Sequence, residues 1–188
     1  MKNHIITIAG RPGSGKSTTA KAVAAKLGYQ HFSSGDLFRS LGKERGVDVL
    51  KGNMTPGITE ELDALVDGKL RELGQKQDKL VIDSRTAWHW IPASYKIFLQ
   101  LDLEQAAQRI LEEKSELRIG SEHISENTEE YAQSLQHRLD VETDRYKSIY
   151  GIDPYDMTNY DLVIDTSSNG IDETISQALE GYHKWLKG

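Results

Sequence analysis

The chain contains no cysteine. That removes disulfides, thiolate catalysis and a cysteine-ligated zinc from its chemistry, and it is compatible with a reducing compartment. Long apolar runs are missing too. No stretch approaches the roughly 18 residues a membrane span needs, and Met1-Lys2-Asn3-His4 leads straight into an apolar run, so neither a signal peptide nor a membrane partner is expected. Blocks of consecutive Lys or Arg are also absent, and 23 basic against 29 acidic residues give a formal charge of −6. A duplex nucleic-acid partner would need a basic stripe, so none is expected, and any bound phosphate has to be met by individually placed arginines. There is no internal repeat and no low-complexity tract. A length of 188 residues suits one domain, 1–188, with an ample core, and the simplest expectation is a soluble cytoplasmic protein.

What the sequence does contain is a phosphate-binding pattern. Gly10-Arg11-Pro12-Gly13-Ser14-Gly15-Lys16-Ser17 fits G-x-x-x-x-G-K-[ST] and follows the apolar run Ile5-Ile6-Thr7-Ile8-Ala9 directly. Glycines in such a loop let several backbone N–H groups converge on phosphates, Lys16 adds a point charge, and the Ser17 hydroxyl faces magnesium. From Lys16 to Leu27 the apolar positions Ala20, Val23, Ala24 and Leu27 recur at helical spacing, and Gly28 stops the run. Strand, loop and helix therefore occur in the order needed to bind ATP through Gly10 to Thr18.

The remaining pattern alternates between strand and helix, as a parallel α/β sheet requires. Strand candidates are Tyr29 to Phe32, Leu80 to Ile82, Lys96 to Leu101 and Leu162 to Ile164. Helices are expected over Leu37 to Leu41, from a Thr59 cap through Leu62, Leu65, Val66, Leu70 and Leu73, from Leu103 to about Glu113, from Thr128 to Tyr150, and along the stripe Ile171, Ile175, Ala178, Leu179, Tyr182 and Leu186. Residues 42–58, with Gly42, Gly46, Gly52, Pro56 and Gly57, are rich in helix breakers and read as part of a small movable flap. The polar stretch 114–127 reads as a lid over phosphates.

Two groups of residues point to phosphoryl chemistry. Asp83 ends an apolar strand, where a carboxylate is placed to hold magnesium behind a phosphate loop. Transfer between two anions further requires bidentate guanidiniums from separate elements. Arg39 lies just past Ser33-Ser34-Gly35-Asp36, and Arg85 follows Asp83 by two residues. Arg138 and Arg145 flank Glu142 at helical spacings of four and three, so the three share a face that either closes on phosphates or is a solvated set of ion pairs. Trp88, His89 and Trp90 follow Arg85 and either contact a base or pack in the core. His89 is not required as a general base, because this chemistry depends on positioning and charge neutralisation. Arg109 and Arg118 flank the lid entrance and either touch ATP or, the default on long polar helices, are solvated.

Taken together these segments resemble the nucleoside monophosphate kinases, most closely the short, archaeal-like type of cytidylate kinase, over nearly the whole chain. The resemblance rests on the loop at Gly10 to Ser17, on Ser33-Ser34-Gly35-Asp36-Leu37-Phe38-Arg39, on Asp83-Ser84-Arg85, on Arg138 to Tyr146, on Tyr150-Gly151-Ile152-Asp153, and on Tyr160 to Thr166. It implies a P-loop NTPase three-layer α/β sandwich with five parallel strands, an acceptor flap at about 34–75 and a lid at about 114–127. It also implies a monomer that transfers the ATP γ-phosphate to CMP or dCMP with Mg2+ held by Ser17 and Asp83. Ser34, Asp36, Arg39 and Arg85 would serve the acceptor, Lys16 the donor, and Arg138 and Arg145 both phosphates. Ser84 stands where the family usually has glycine, and Leu139 where an acidic residue is common. The alternatives are a kinase of another small acceptor, such as another nucleoside monophosphate or a shikimate-like polyol acid, and a P-loop regulatory protein that binds ATP without transfer.

Overall fold

Five parallel strands form one sheet in a computed structural model that describes residues 3–47, 56–112 and 127–188. In chain order they are β1 (Ile5–Gly10), β2 (Gln30–Ser33), β3 (Leu80–Asp83), β4 (Tyr95–Gln100) and β5 (Leu162–Asp165). The spatial order is β2-β3-β1-β4-β5. From β1 the chain goes to the edge strand β2, returns with β3 between the two and then crosses to β4 and β5 on the other side, so the carboxyl end of β1 is a topological switch point where ligands gather. All six residues of β1 are buried, as expected of a central parallel strand covered on both faces.

The helices are α1 (Lys16–Leu27), α2 (Ser34–Glu44), α3 (Pro56–Lys76), α4 (Ala87–Trp90), α5 (Leu103–Glu112), α6 (Thr128–Tyr150) and α7 (Ile171–Lys187), with a 3-10 turn at Met157–Asn159. Because strand side chains alternate, Ile6, Ile8, Val81, Ile97 and Leu99 face Ala20 and Val23 of α1 and Ile175, Ala178 and Tyr182 of α7. The other face presents Ile5, Leu80 and Ile82 to Val66, Leu70 and Leu73 of α3 and to Ala87 of α4. A smaller cluster joins Ala106 and Ile110 of α5 to Tyr131 and Leu135 of α6. Helices thus cover both faces of the sheet, giving three layers.

Several expectations from the sequence need correction. Helix α3 starts at Pro56, so Thr59 lies inside it; proline suits a first helical position because its missing N–H would have no partner there. Leu65 is 42% exposed and lies off the buried face, where the inward positions beside Leu62 and Val66 are the acids Asp63 and Asp67. Helix α2 runs on to Glu44, past the expected Leu41. The lid at 114–127, with Arg118 and apart from Asn127, and the middle of the breaker-rich segment fall outside the described residues.

Candidate active site

The phosphate loop is shaped by close approach to the neighbouring strand. Gly10 has φ 153, and a Cβ there would lie 2.3 Å from the Leu99 carbonyl oxygen, so only glycine fits. The Arg11 amide donates to that same oxygen (3.2 Å), and Arg11 Nη1 donates to Leu101 O (3.3 Å), which fastens the loop to the end of β4. Gly15, with φ 78, turns the chain into α1, aiming the helix N-terminus at the loop mouth. Lys16 Nζ donates to Arg11 O across the loop at 2.9 Å. Burial, with the Arg85 guanidinium second, pushes the Lys16 ammonium down to about 7. The side chain is thus a cation held at a cost until phosphate oxygens arrive.

Asp83 sits at the carboxyl end of β3, next to β1, and is buried. Its Oδ1 accepts from Ser17 (3.4 Å) and Ser33 (3.1 Å), and its Oδ2 is 2.8 Å from His31 Nε2. A serine hydroxyl and a carboxylate converging in this way fit Mg2+, which takes hard oxygen ligands and keeps several waters. Among the described residues no three His, Cys, Asp or Glu side chains cluster as a metal cage, so the remaining coordination would fall to phosphate and water. The pairing of His31 and Ser33 with Asp83 was not foreseen; the clue available was that β2 ends beside β3 only once the sheet order is known.

The arginines divide into groups. Arg39 pairs with Asp36 on the exposed start of α2, where Ser33 Oγ caps the helix by accepting from the Asp36 amide (3.3 Å) and Ser34 is the first helical residue. Arg85 Nε lies 3.0 Å from Glu142 Oε2 and donates to the Tyr155 hydroxyl (3.2 Å), while Arg138 Nε donates to Glu142 Oε1 (3.3 Å). Burial alone would raise the Glu142 carboxyl, but Arg85, Arg138 and the Tyr155 hydroxyl hold it down to about 2. Glu142 in turn raises the Arg85 guanidinium. Arg145 does not join them: its Nη1 contacts Asp63 Oδ2 of α3 at 3.1 Å, and it lies over the Tyr146 ring at 4.9 Å. Asp67, one turn further along α3, accepts from Thr86 (3.3 Å), from Trp90 Nε1 (2.8 Å) and from the Tyr150 hydroxyl. The acids of α3 thus tie it to the acceptor loop and to α6, a link that local sequence spacing does not reveal. Arg109 donates to Thr166 O (2.7 Å), a packing contact that replaces the solvated reading.

Comparison with known proteins decides the family. Residues 9–126 match the family model described as AAA domain. The chain is 35% identical over 184 residues to the cytidylate kinase of Haloarcula marismortui, covering 95% of this chain and 90% of that protein. It is also 35% identical over 175 residues to the cytidylate kinase of Methanothrix thermoacetophila, covering 93% and 95%. The chain belongs to the cytidylate kinase family. In fold it is similar to the shikimate kinase of Bacteroides thetaiotaomicron, with a TM-score of 0.62 at 16% identity over 98% of each chain.

In the loop after β3, Ser84 has a structural use. Ser84 Oγ accepts from the amides of Thr86 (3.2 Å) and Ala87 (3.3 Å), which sets up the short helix α4. Trp88 takes the core alternative, buried beside Phe98 and Tyr160 with its Nε1 donating to Arg85 O (2.8 Å). Trp90 is held by Asp67 and covered by the Arg71 guanidinium at 3.8 Å.

Proposed function

We propose that this protein transfers the γ-phosphoryl group of ATP to the phosphate of CMP or dCMP. The observation that carries the reading is the meeting of a phosphate loop and Asp83 with the ion-paired cluster Arg85–Glu142–Arg138 at one edge of the sheet. A protein that only sensed ATP has no need of guanidiniums beyond the donor phosphates, whereas transfer between two anions requires them.

In this reading the loop amides and Lys16 hold the donor phosphates, and Ser17 and Asp83 hold Mg2+. When bound, the metal would offset the charge that develops on the donor phosphates. Arg39 and Arg85 bind the acceptor phosphate, beside Ser34 and Asp36, and Arg138 spans both phosphates. An acceptor phosphate oxygen attacks the γ-phosphorus in line as the bond to the bridging oxygen breaks, and ADP leaves. Glu142 keeps Arg85 and Arg138 oriented before substrate arrives, so little reorganisation remains for the reaction itself. Arg145, drawn toward α3 by Asp63, lines the acceptor pocket. Residues about 34–75 act as the acceptor flap and about 114–127 as the lid, within a single domain. From the family resemblance we expect a cytoplasmic monomer; no described helix is long and apolar enough to cross a membrane.

The test is an ADP-release assay with ATP and Mg2+, offering CMP, dCMP, UMP, AMP, GMP, dTMP and shikimate separately. Preferential turnover of CMP or dCMP supports the reading. Turnover of another acceptor alone would keep a kinase and reject the base, and silence with all of them would reject transfer to these acceptors.

A further inference from the structure

Arg85, proposed above to bind the acceptor phosphate, is held from two sides. Its backbone carbonyl accepts from Trp88 Nε1 (2.8 Å), and its Nε lies 3.0 Å from Glu142 Oε2. The same Nε–H donates to the Tyr155 hydroxyl (3.2 Å), which in turn donates to Glu142 Oε2 (2.5 Å). A neutral hydroxyl thus stands between a guanidinium and the carboxylate that balances it, accepting from one and donating to the other. Burial pushes the Tyr155 phenol up, so the proton it donates stays in place.

The turn that follows α6 fixes where this hydroxyl lies. In Asp153-Pro154-Tyr155-Asp156 the Asp156 amide donates to Asp153 O (3.3 Å), and proline takes the second position, where its fixed φ fits. Asp153 Oδ1 accepts from the Tyr155 amide (2.9 Å), and its Oδ2 lies 3.2 Å from Lys147 Nζ, which ties the turn to the end of α6. Pro154 O accepts from the Tyr160 hydroxyl (2.7 Å). The Tyr155 ring packs against the cluster of Ala9, Trp88 and Phe98, and Trp88 is also the residue that holds the Arg85 carbonyl. With its backbone fastened and its ring packed, Tyr155 presents the hydroxyl to Arg85 and Glu142 in one place.

Resting on the nucleoside monophosphate kinase reading, we propose that Tyr155 is a positioning residue for the acceptor phosphate and acts through Arg85. A guanidinium is a rigid planar fork, so fixing one edge fixes the direction of the others. With Nε engaged by Tyr155 and Glu142, the Nη1–Nη2 edge takes the phosphate through two parallel bonds. A carboxylate as strongly charged as Glu142 competes for that same edge. The Tyr155 hydroxyl occupies Glu142 Oε2 and so keeps Glu142 from capturing the whole fork. Without the hydroxyl, Arg85 turns two nitrogens onto Glu142, and the acceptor phosphate has to break that pairing to bind.

The test measures KM for CMP and for ATP in the native protein, in Tyr155→Phe, in Arg85→Lys and in the double variant, with a thermal melt of each. Tyr155→Phe keeps the ring in its cluster and removes only the hydroxyl, so KM for CMP is expected to rise about 10-fold, the size of one hydrogen bond to a charged group, with KM for ATP unmoved. Arg85→Lys keeps the charge but has no fork to orient. In that background Tyr155→Phe is expected to leave KM for CMP where it is, because a residue that acts through Arg85 has nothing left to act on. Tyr155→Leu, apolar and without the hydroxyl, is expected to show the same split and carries the test if Tyr155→Phe does not fold. An unchanged KM for CMP, equal rises in both KM values, or the same rise with and without Arg85→Lys would each overturn the inference and leave Tyr155 a packing residue. If the native protein phosphorylates CMP and one of these results appears, the inference falls alone. If it phosphorylates no nucleoside monophosphate, the kinase reading falls and takes the inference with it.

Discussion

The proposed donor and acceptor sides of the site lie at the same edge of the sheet but are built from different materials. The donor loop is backbone, a short contiguous stretch whose shape depends on Gly10 lying against Leu99 O and on Gly15 turning into α1. The acceptor side is made of side chains brought from α2, α3, the loop after β3 and α6, with each buried charge balanced from another element: Arg85 by Glu142, and Arg145 by Asp63. A backbone site should survive loss of a side chain and fail when a Cβ is added. A side-chain site should fail when one charge is deleted, because its partner is then left buried and alone.

The largest effect expected on that contrast is at Lys16. Lys16→Ala should lower kcat by about 100- to 1000-fold while the melting temperature holds or rises, since the ammonium has one hydrogen-bond partner, Arg11 O, and its burial disfavours the charge. A clear drop in melting temperature would break the comparison, because the loop would then depend on the side chain. Arg85→Ala should behave in the opposite way. Removing it leaves the largely buried Glu142 with only Arg138 and the Tyr155 hydroxyl as partners. The loss should therefore stay below about 3 kcal/mol, the cost of a fully broken buried pair, a fall in melting temperature of less than roughly 6–12 °C in a domain of this size. KM for the acceptor should rise far more than KM for ATP. Equal loss of ATP affinity in the two variants would contradict the division into donor and acceptor sides.

The same contrast explains what was legible in the sequence. A contiguous motif shows its chemistry and its setting together, so the strand, loop and helix of the donor side, including the stop at Gly28, could be read directly. Five parallel strands followed from alternation and family resemblance. The acceptor side was legible only as a set of arginines. Their partners could not be read, because Asp63 and Arg145 are 82 positions apart in the chain and meet only when α3 packs on α6. Arg138, Glu142 and Arg145 do share helical spacing, yet a competing acid on another helix takes Arg145 away from the other two. A signal was present in α3, where Asp63 and Asp67 adjoin the apolar positions Leu62 and Val66 and so have to face inward.

A smaller, graded effect should appear with pH. In the ligand-free protein the Lys16 pKa is lowered to about 7, and phosphates placed against it favour the charged form. Below pH 7 Lys16 is charged before ATP arrives, so no proton is exchanged on its account. Above pH 7 it has to gain a proton on binding, and ATP affinity should weaken by up to tenfold per pH unit. Calorimetry at pH 8 in two buffers of different ionisation heat should show close to one proton taken up, and none in Lys16→Ala. The same uptake in the variant would assign the proton elsewhere.

The smallest effect is expected at the junction of the two sides. Ser84 stands between Asp83, assigned in the proposed function to the donor side, and Arg85, assigned there to the acceptor side, and its hydroxyl does backbone work by accepting from the amides of Thr86 and Ala87. Ser84→Gly removes that cap, at a cost of about 1 kcal/mol, or roughly 2–4 °C. Since α4 carries Trp90 to Asp67, loosening its start should raise KM for the acceptor modestly and leave KM for ATP alone. A change in ATP binding instead would mean that the strand end bearing Asp83 moves with Ser84, and the two sides would then be one mechanical unit.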